Sequence, residues 1–139
     1  LFFYLIILMI NSEKIKEVVE FILGKESIYI LLLIILNIIN LCLFYKSKSI
    51  LLLNGLILLV LYFIISTRDD KRILFLAMIN FAFWGIISES FIIKNTNNLL
   101  YYKNSTKHLN VPLWLIPIYC LFCITAVHTY KIFKLLLEQ

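Results

Sequence analysis

The chain has 139 residues, 63% apolar and only 15% charged, with 13 Lys and Arg against eight Asp and Glu. It is too apolar for an ordinary soluble domain and too short for two membrane domains. Its net charge of +5 sits in short clusters beside apolar runs and not on one basic face, which argues against nucleic acid as a partner.

The order of elements begins with Leu1 to Ile10, a short apolar stretch read as the end of a processed segment or as an interfacial piece. It lacks the basic leader and small-residue cleavage site of a complete secretory signal. From Asn11 to Gly24, Ile15, Val18, Val19 and Ile22 recur at helical spacing opposite Glu13, Lys16, Glu17 and Glu20. Asn11 or Ser12 can cap this helix and Gly24 can end it. A short amphipathic helix at the membrane surface is expected, with a continuous helix running into the first span as the alternative. Residues 1–27 form this N-terminal segment, and residues 28–139 the membrane domain.

Four apolar runs follow: Ile28 to Tyr45, Ile50 to Ser66, Ile73 to Ile93 and Val111 to Tyr130. At about 1.5 Å per residue each reaches roughly 25 to 32 Å, close to the roughly 30 Å hydrocarbon core of a bilayer. Stretches such as Ile30 to Leu36 are apolar at every position, whereas a transmembrane barrel strand alternates. The expected fold is an all-α, polytopic transmembrane four-helix bundle with an N-terminal amphipathic or partly hydrophobic helix. Lys46 to Ser49 suffices for a tight turn, making the first two spans a hairpin. The connector Thr67 to Arg72 is dense in charge and belongs in water or headgroups. Lys94 to Asn110 is the longest connector and the expected functional loop.

Eight Lys and Arg fall on the side of the amphipathic segment, the Arg68 loop and the C-terminal tail, and five on the other (Lys46, Lys48, Lys94, Lys103, Lys107). This asymmetry places both termini in the cytoplasm. Asn104, Ser105 and Thr106 form a glycosylation acceptor triplet in the long loop, in agreement with an outside placement there.

Glu89 is the one acidic residue inside a predicted span, where a carboxylate costs about a few kcal/mol unless paired, protonated or wet. Met78, Ala82, Gly85 and Glu89 share one stripe, and the small residues Ala82 and Gly85 admit a close neighbour, so Glu89 is expected to point into the bundle. Counting from span ends puts Asn40, Asn54 and Glu89 in one outer layer with Trp114 and Pro117, under Tyr101, Tyr102 and His108 of the long loop. Asn40, Asn54, Glu89, Tyr102 and Trp114 are therefore candidate ligand-binding residues, and Glu89 the candidate catalytic base, proton carrier or cation partner. The alternative is structural: Asn40 and Asn54 bond across helices, and Glu89 reaches Lys94 or a headgroup. Asn37 and Asn80 lie nearer the midplane, where helix-to-helix hydrogen bonding is the expected role. His128 falls near the inner end of its span, about 20 Å or more from the depth of Glu89, so the two form no dyad.

Cys42, Cys120 and Cys123 lie inside apolar runs and read as small hydrophobes; no disulfide framework, metal site or cofactor is expected. The segment from Glu89 through Tyr101 and Tyr102 to Val111-Pro112-Leu113-Trp114-Leu115-Ile116-Pro117 resembles a pattern in small uncharacterised polytopic membrane families. It is also similar to the carotenoid-biosynthesis membrane family, in which a Glu within a span precedes a Tyr-containing loop and a span led by Val-Pro. The resemblance implies that Glu89, Tyr102 and Pro112 occupy corresponding positions. The glycines that family carries between the Glu and the Tyr are missing, so its activity is not carried over. The expectation is a small non-enzymatic membrane protein or accessory subunit, partnered by the bilayer and by other subunits or itself. A membrane-embedded enzyme or binder of lipid or isoprenoid ligands is the alternative, and a transporter or channel subunit a third.

Overall fold

The computed structural model describes residues 12–96 and 111–137. Within them the chain forms five helices: α1 (Ser12–Ile22), α2 (Lys25–Phe44), α3 (Lys48–Ile65), α4 (Lys71–Asn95) and α5 (Ile116–Leu137), the last preceded by a 3-10 turn (Leu113–Leu115). Four stretches, Lys25–Phe44, Lys48–Ile65, Lys71–Asn95 and Leu113–Leu137, are long and apolar enough to cross a membrane. This is a small multi-pass integral membrane protein, an all-α bundle.

The spans run past most of the expected boundaries. Helical geometry satisfies its own backbone, so it continues into the headgroup region as long as terminal Lys and Glu side chains can reach water or a partner. The first span therefore starts at Lys25 rather than Ile28 and takes in Glu26. That corrects the reading of Glu89 as the one acid within a span. The last span runs to Leu137, with Pro117 in the first turn of α5, where a missing N–H costs no helical bond.

α1 is a separate helix, not an extension of the first span. Val18 is buried and Phe21 stacks on His128 of α5 at 4.9 Å, while Ile15, Val19 and Ile22 stay exposed. The chain breaks at Gly24, whose φ of −65° and ψ of 157° are extended and open to any residue. A side chain there is crowded: a Cβ would lie 3.0 Å from the Phe21 carbonyl oxygen, so the end of α1 would have to give slightly to admit it. Ser27 Oγ also donates to that carbonyl, at 3.0 Å, and so satisfies the frayed end of α1.

α5 is the hub of the bundle, packing on α1, α2, α3 and α4, and α2 packs along α3 as a hairpin. In a bilayer, apolar side chains gain little by leaving lipid, so close packing decides which helices meet. Gly55 of α3 sits against the Pro117 ring, where a Cβ would come within 2.7 Å. Gly85 of α4 lies under the Tyr119 ring, where a Cβ would come within 2.8 Å. Met78 and Ala82 are buried on the same side of α4 in a core with Tyr62, Leu74, Cys120, Cys123 and Ile124. A second core, where α4 ends and the 3-10 turn begins, joins Ile93, Val111 and Leu115.

Although only residues 66–70 join them, α3 and α4 meet chiefly at that end, where the Phe63 and Phe75 rings stand edge to face at 6.0 Å. Farther along they part. The cleft between them, about 560 Å³, is lined by Leu56, Leu59, Val60, Phe63, Met78 and Ala82 among others and floored by Ile116 and Cys120 of α5.

Candidate functional site

The outer layer is built on the α2–α3 hairpin. Asn40 is buried; its Nδ2 donates to the Leu51 carbonyl at 3.2 Å, and Asn54 Nδ2 donates to Asn40 Oδ1 at 3.1 Å. Trp114, in the 3-10 turn, stands beside Asn40 with Lys48 Nζ 5.2 Å from its ring centre. Asn37, Asn40, Gly55, Trp114 and Pro117 enclose a void of only about 10 Å³. That is at the lower limit for one water and far below the space a substrate needs. On the hairpin's other side Asn40 and Asn54 border a shallow apolar groove of about 220 Å³.

Glu89 lines neither space. It is half-buried on α4, with Oε2 shielded and without a hydrogen-bond partner among the described residues. The structure thus brings Asn40, Asn54 and Trp114 together and leaves Glu89 on a different helix, one turn before the Ile93 core. Of the positions carrying the sequence resemblance, Pro112 is buried just ahead of the 3-10 turn. Tyr102 lies outside the described residues, as do Tyr101, His108 and the Asn104 triplet.

The midspan asparagines differ from expectation. Asn37 donates to Leu33 of its own helix at 2.9 Å, a bond that competes for the carbonyl of the preceding turn. Asn80 is exposed on the outer face of α4 and bonds to no other helix of the chain among the described residues. Neither joins two helices here.

A denser polar cluster occupies the end of the bundle opposite the Ile93 core. Glu26, in the first turn of α2, accepts from Tyr62 Oη at 2.5 Å, Ser66 Oγ at 2.9 Å, and the Thr67 backbone N–H and Oγ1 at 3.0 and 3.3 Å. Both carboxylate oxygens are engaged, tying the start of α2 to the end of α3. Next to it Arg68, its side chain 3% exposed, forks onto Asp70: Nε to Oδ1 and Nη2 to Oδ2, both 2.8 Å. Lys131 of α5 reaches Asp70 Oδ2 at 3.0 Å. The Arg68 hydrogen bonds foremost, then Lys131, hold the Asp70 carboxyl at about 2, below its ordinary 3.8, against the opposing pull of burial. His128 Nε2 hydrogen-bonds Ser27 Oγ at 2.8 Å under the Phe21 ring, at the opposite end of the bundle from the Ile93 core.

The signal for this cluster was the same depth count that put Asn40 level with Asn54, applied to the other membrane face. Tyr62 and Ser66 are one turn apart at the C-terminal end of α3, level with His128. A first span begun at Ile28 left out Glu26, the acceptor that gathers them.

Chemically the cluster is a latch. A carboxylate whose lone pairs are filled, and a guanidinium paired in a fork, position helices, while His128 Nδ1 beside them is buried without a hydrogen-bond partner among the described residues. Among the described residues no three His, Cys, Asp or Glu side chains converge on a metal position, and Cys120 and Cys123 are buried thiols in the α5 core. No family model matches the chain, and no curated protein or solved structure matches it either.

Proposed function

We propose that the chain is a non-enzymatic accessory subunit of the membrane, a compact helical element that docks with other membrane chains. The observation that carries this reading is that the polar groups the bundle gathers, Glu26, Asn40, Asn54 and Tyr62, are consumed in bonds between its own elements, with Glu89 and Asn80 standing apart from them. An enzyme needs such groups converging on a cavity with room for a substrate. Lys14, Lys16, Lys25, Arg68, Lys71, Arg72, Lys131 and Lys134 gather at one end, which supports cytoplasmic termini under the positive-inside rule. The test is mass measurement of the full chain after extraction in mild detergent. Co-purifying protein is expected, and a bare monomer defeats the reading.

A second reading, a binder of a lipid or isoprenoid chain, is favoured by the cleft between α3 and α4. Its lining is almost wholly apolar, and Ile86 at its edge lies one turn before Glu89. Glu89→Gln keeps size and removes charge. Retained lipid lost on this change supports a headgroup contact at Glu89; unchanged lipid, function and assembly eliminate both that contact and a proton-carrying role.

A further inference from the structure

We infer that the exposed face of α4 centred on Asn80 pairs with the same face of a second copy of this chain. Asn80 lies nine residues, roughly 13 Å, beyond Lys71 and 15 residues, roughly 22 Å, before Asn95, which sets its amide well inside the hydrocarbon layer. There is no water at that depth to hydrogen-bond it. Its side chain is exposed and has no hydrogen-bond partner among the described residues. Asn37 and Asn95 turn their amides back onto Leu33 and Phe91 of their own helices; Asn80 makes no such bond to Leu76.

The residues around it form a seam. Ile73, Ala77, Asn80, Trp84, Ile87 and Phe91 are spaced four, three, four, three and four apart, which keeps one stripe toward a partner helix crossing with a left-handed supercoil. All are exposed except Ala77, which is half-buried. The stripe on the opposite side of α4, with Met78, Ala82 and Gly85, is already occupied by α5. α4 therefore has one face packed on α5 and one exposed face whose amide lacks a partner among the described residues.

A second copy meets the requirement without further specification. A carboxamide is donor and acceptor at once, so two of them can exchange hydrogen bonds reciprocally. Copies inserted in the same direction and related by a two-fold axis along the membrane normal carry Asn80 at the same depth. One amide in an apolar seam also fixes register, because any slip leaves both amides in lipid. The pairing does not rest on the accessory-subunit reading: a monomer that carries a different protein would defeat it and leave that reading standing.

The test uses the full chain in phospholipid vesicles at decreasing protein-to-lipid ratio, with oligomeric state read by single-molecule photobleaching. The wild type is expected to be dimeric, Asn80→Leu to raise the dissociation constant about tenfold or more, and Asn80→Gln, which retains the amide, to recover most of the association. In a Cys42→Ala background, Ile87→Cys is expected to cross-link two copies under mild oxidation, and Ile79→Cys, off the seam, to remain single. A monomeric wild type, equal association of Asn80→Leu and wild type, or cross-linking at Ile79→Cys in preference to Ile87→Cys would overturn the pairing.

Discussion

Glu26 shows how one acid can organise three segments of a chain. Its four donors come from Tyr62, Ser66 and Thr67, all at the junction of α3 with the charged connector. Hydrogen bonds to charged acceptors contribute about 1.5–3 kcal/mol each where shielded from water. Glu26→Ala is therefore expected to lower thermal stability in detergent by about 2–4 kcal/mol, and Tyr62→Phe by about 1–2 kcal/mol. The double variant should fall short of the sum, because both remove the same bond; additive losses would show that the two side chains are not coupled. Asp70 makes a distinct statement about pH. Its carboxyl is held at about 2 when folded against an ordinary 3.8, so the unfolded chain binds the proton more tightly. Its contribution is complete above about pH 4 and is lost as pH falls toward 2. Melting of the helices followed between pH 5 and 2 should show this loss, and Asp70→Asn should flatten the part of the curve that Asp70 carries.

Four helical spans were legible as elements because an uninterrupted apolar run of bilayer length has few other stable solutions. Their ends were less so. Hydropathy falls at Lys25 and Glu26, yet the helix persists because Glu26 finds its donors 36 to 41 residues away. The stripe Met78, Ala82 and Gly85 was readable as a contact face from spacing alone, and α5 packs on it. Gly55 carried no such signal, since its requirement comes from Pro117 on another helix. Gly55→Ala is expected to cost about 1–3 kcal/mol, because the Pro117 ring is rigid and α3 and α5 must part. Gly85→Ala should cost less, as the Tyr119 ring can swing about its χ angles. Denaturation of the two variants under matched detergent conditions ranks them, and the reverse order would contradict the packing described for α3.

At the scale of the whole molecule the candidate outer site was legible only in part. Depth counting placed Asn40, Asn54 and Trp114 at one level, and they are neighbours; it also placed Glu89 there, but depth carries no information about azimuth around the bundle. Only the packing of α5 between α3 and α4 decides that Glu89 stands apart. The same packing predicts how the assembly fails. Without residues 113–137 the α2–α3 hairpin keeps its Asn40 and Asn54 bonds, whereas α4 loses most of its contacts. Limited proteolysis of that truncated form should cut first around residues 66–70 and spare the hairpin turn at 45–47, and equal cutting at both sites would argue against α5 as the hub.

The position of α5 also sets a schedule for biogenesis. As the chain leaves the ribosome, α3 and α4 enter the membrane with the Phe63 and Phe75 joint as their main mutual contact, while the helix that floors the cleft between their far ends has yet to be translated. Until it arrives the α2–α3 hairpin can close on its own bonds, while α4 stays threaded without most of its packing.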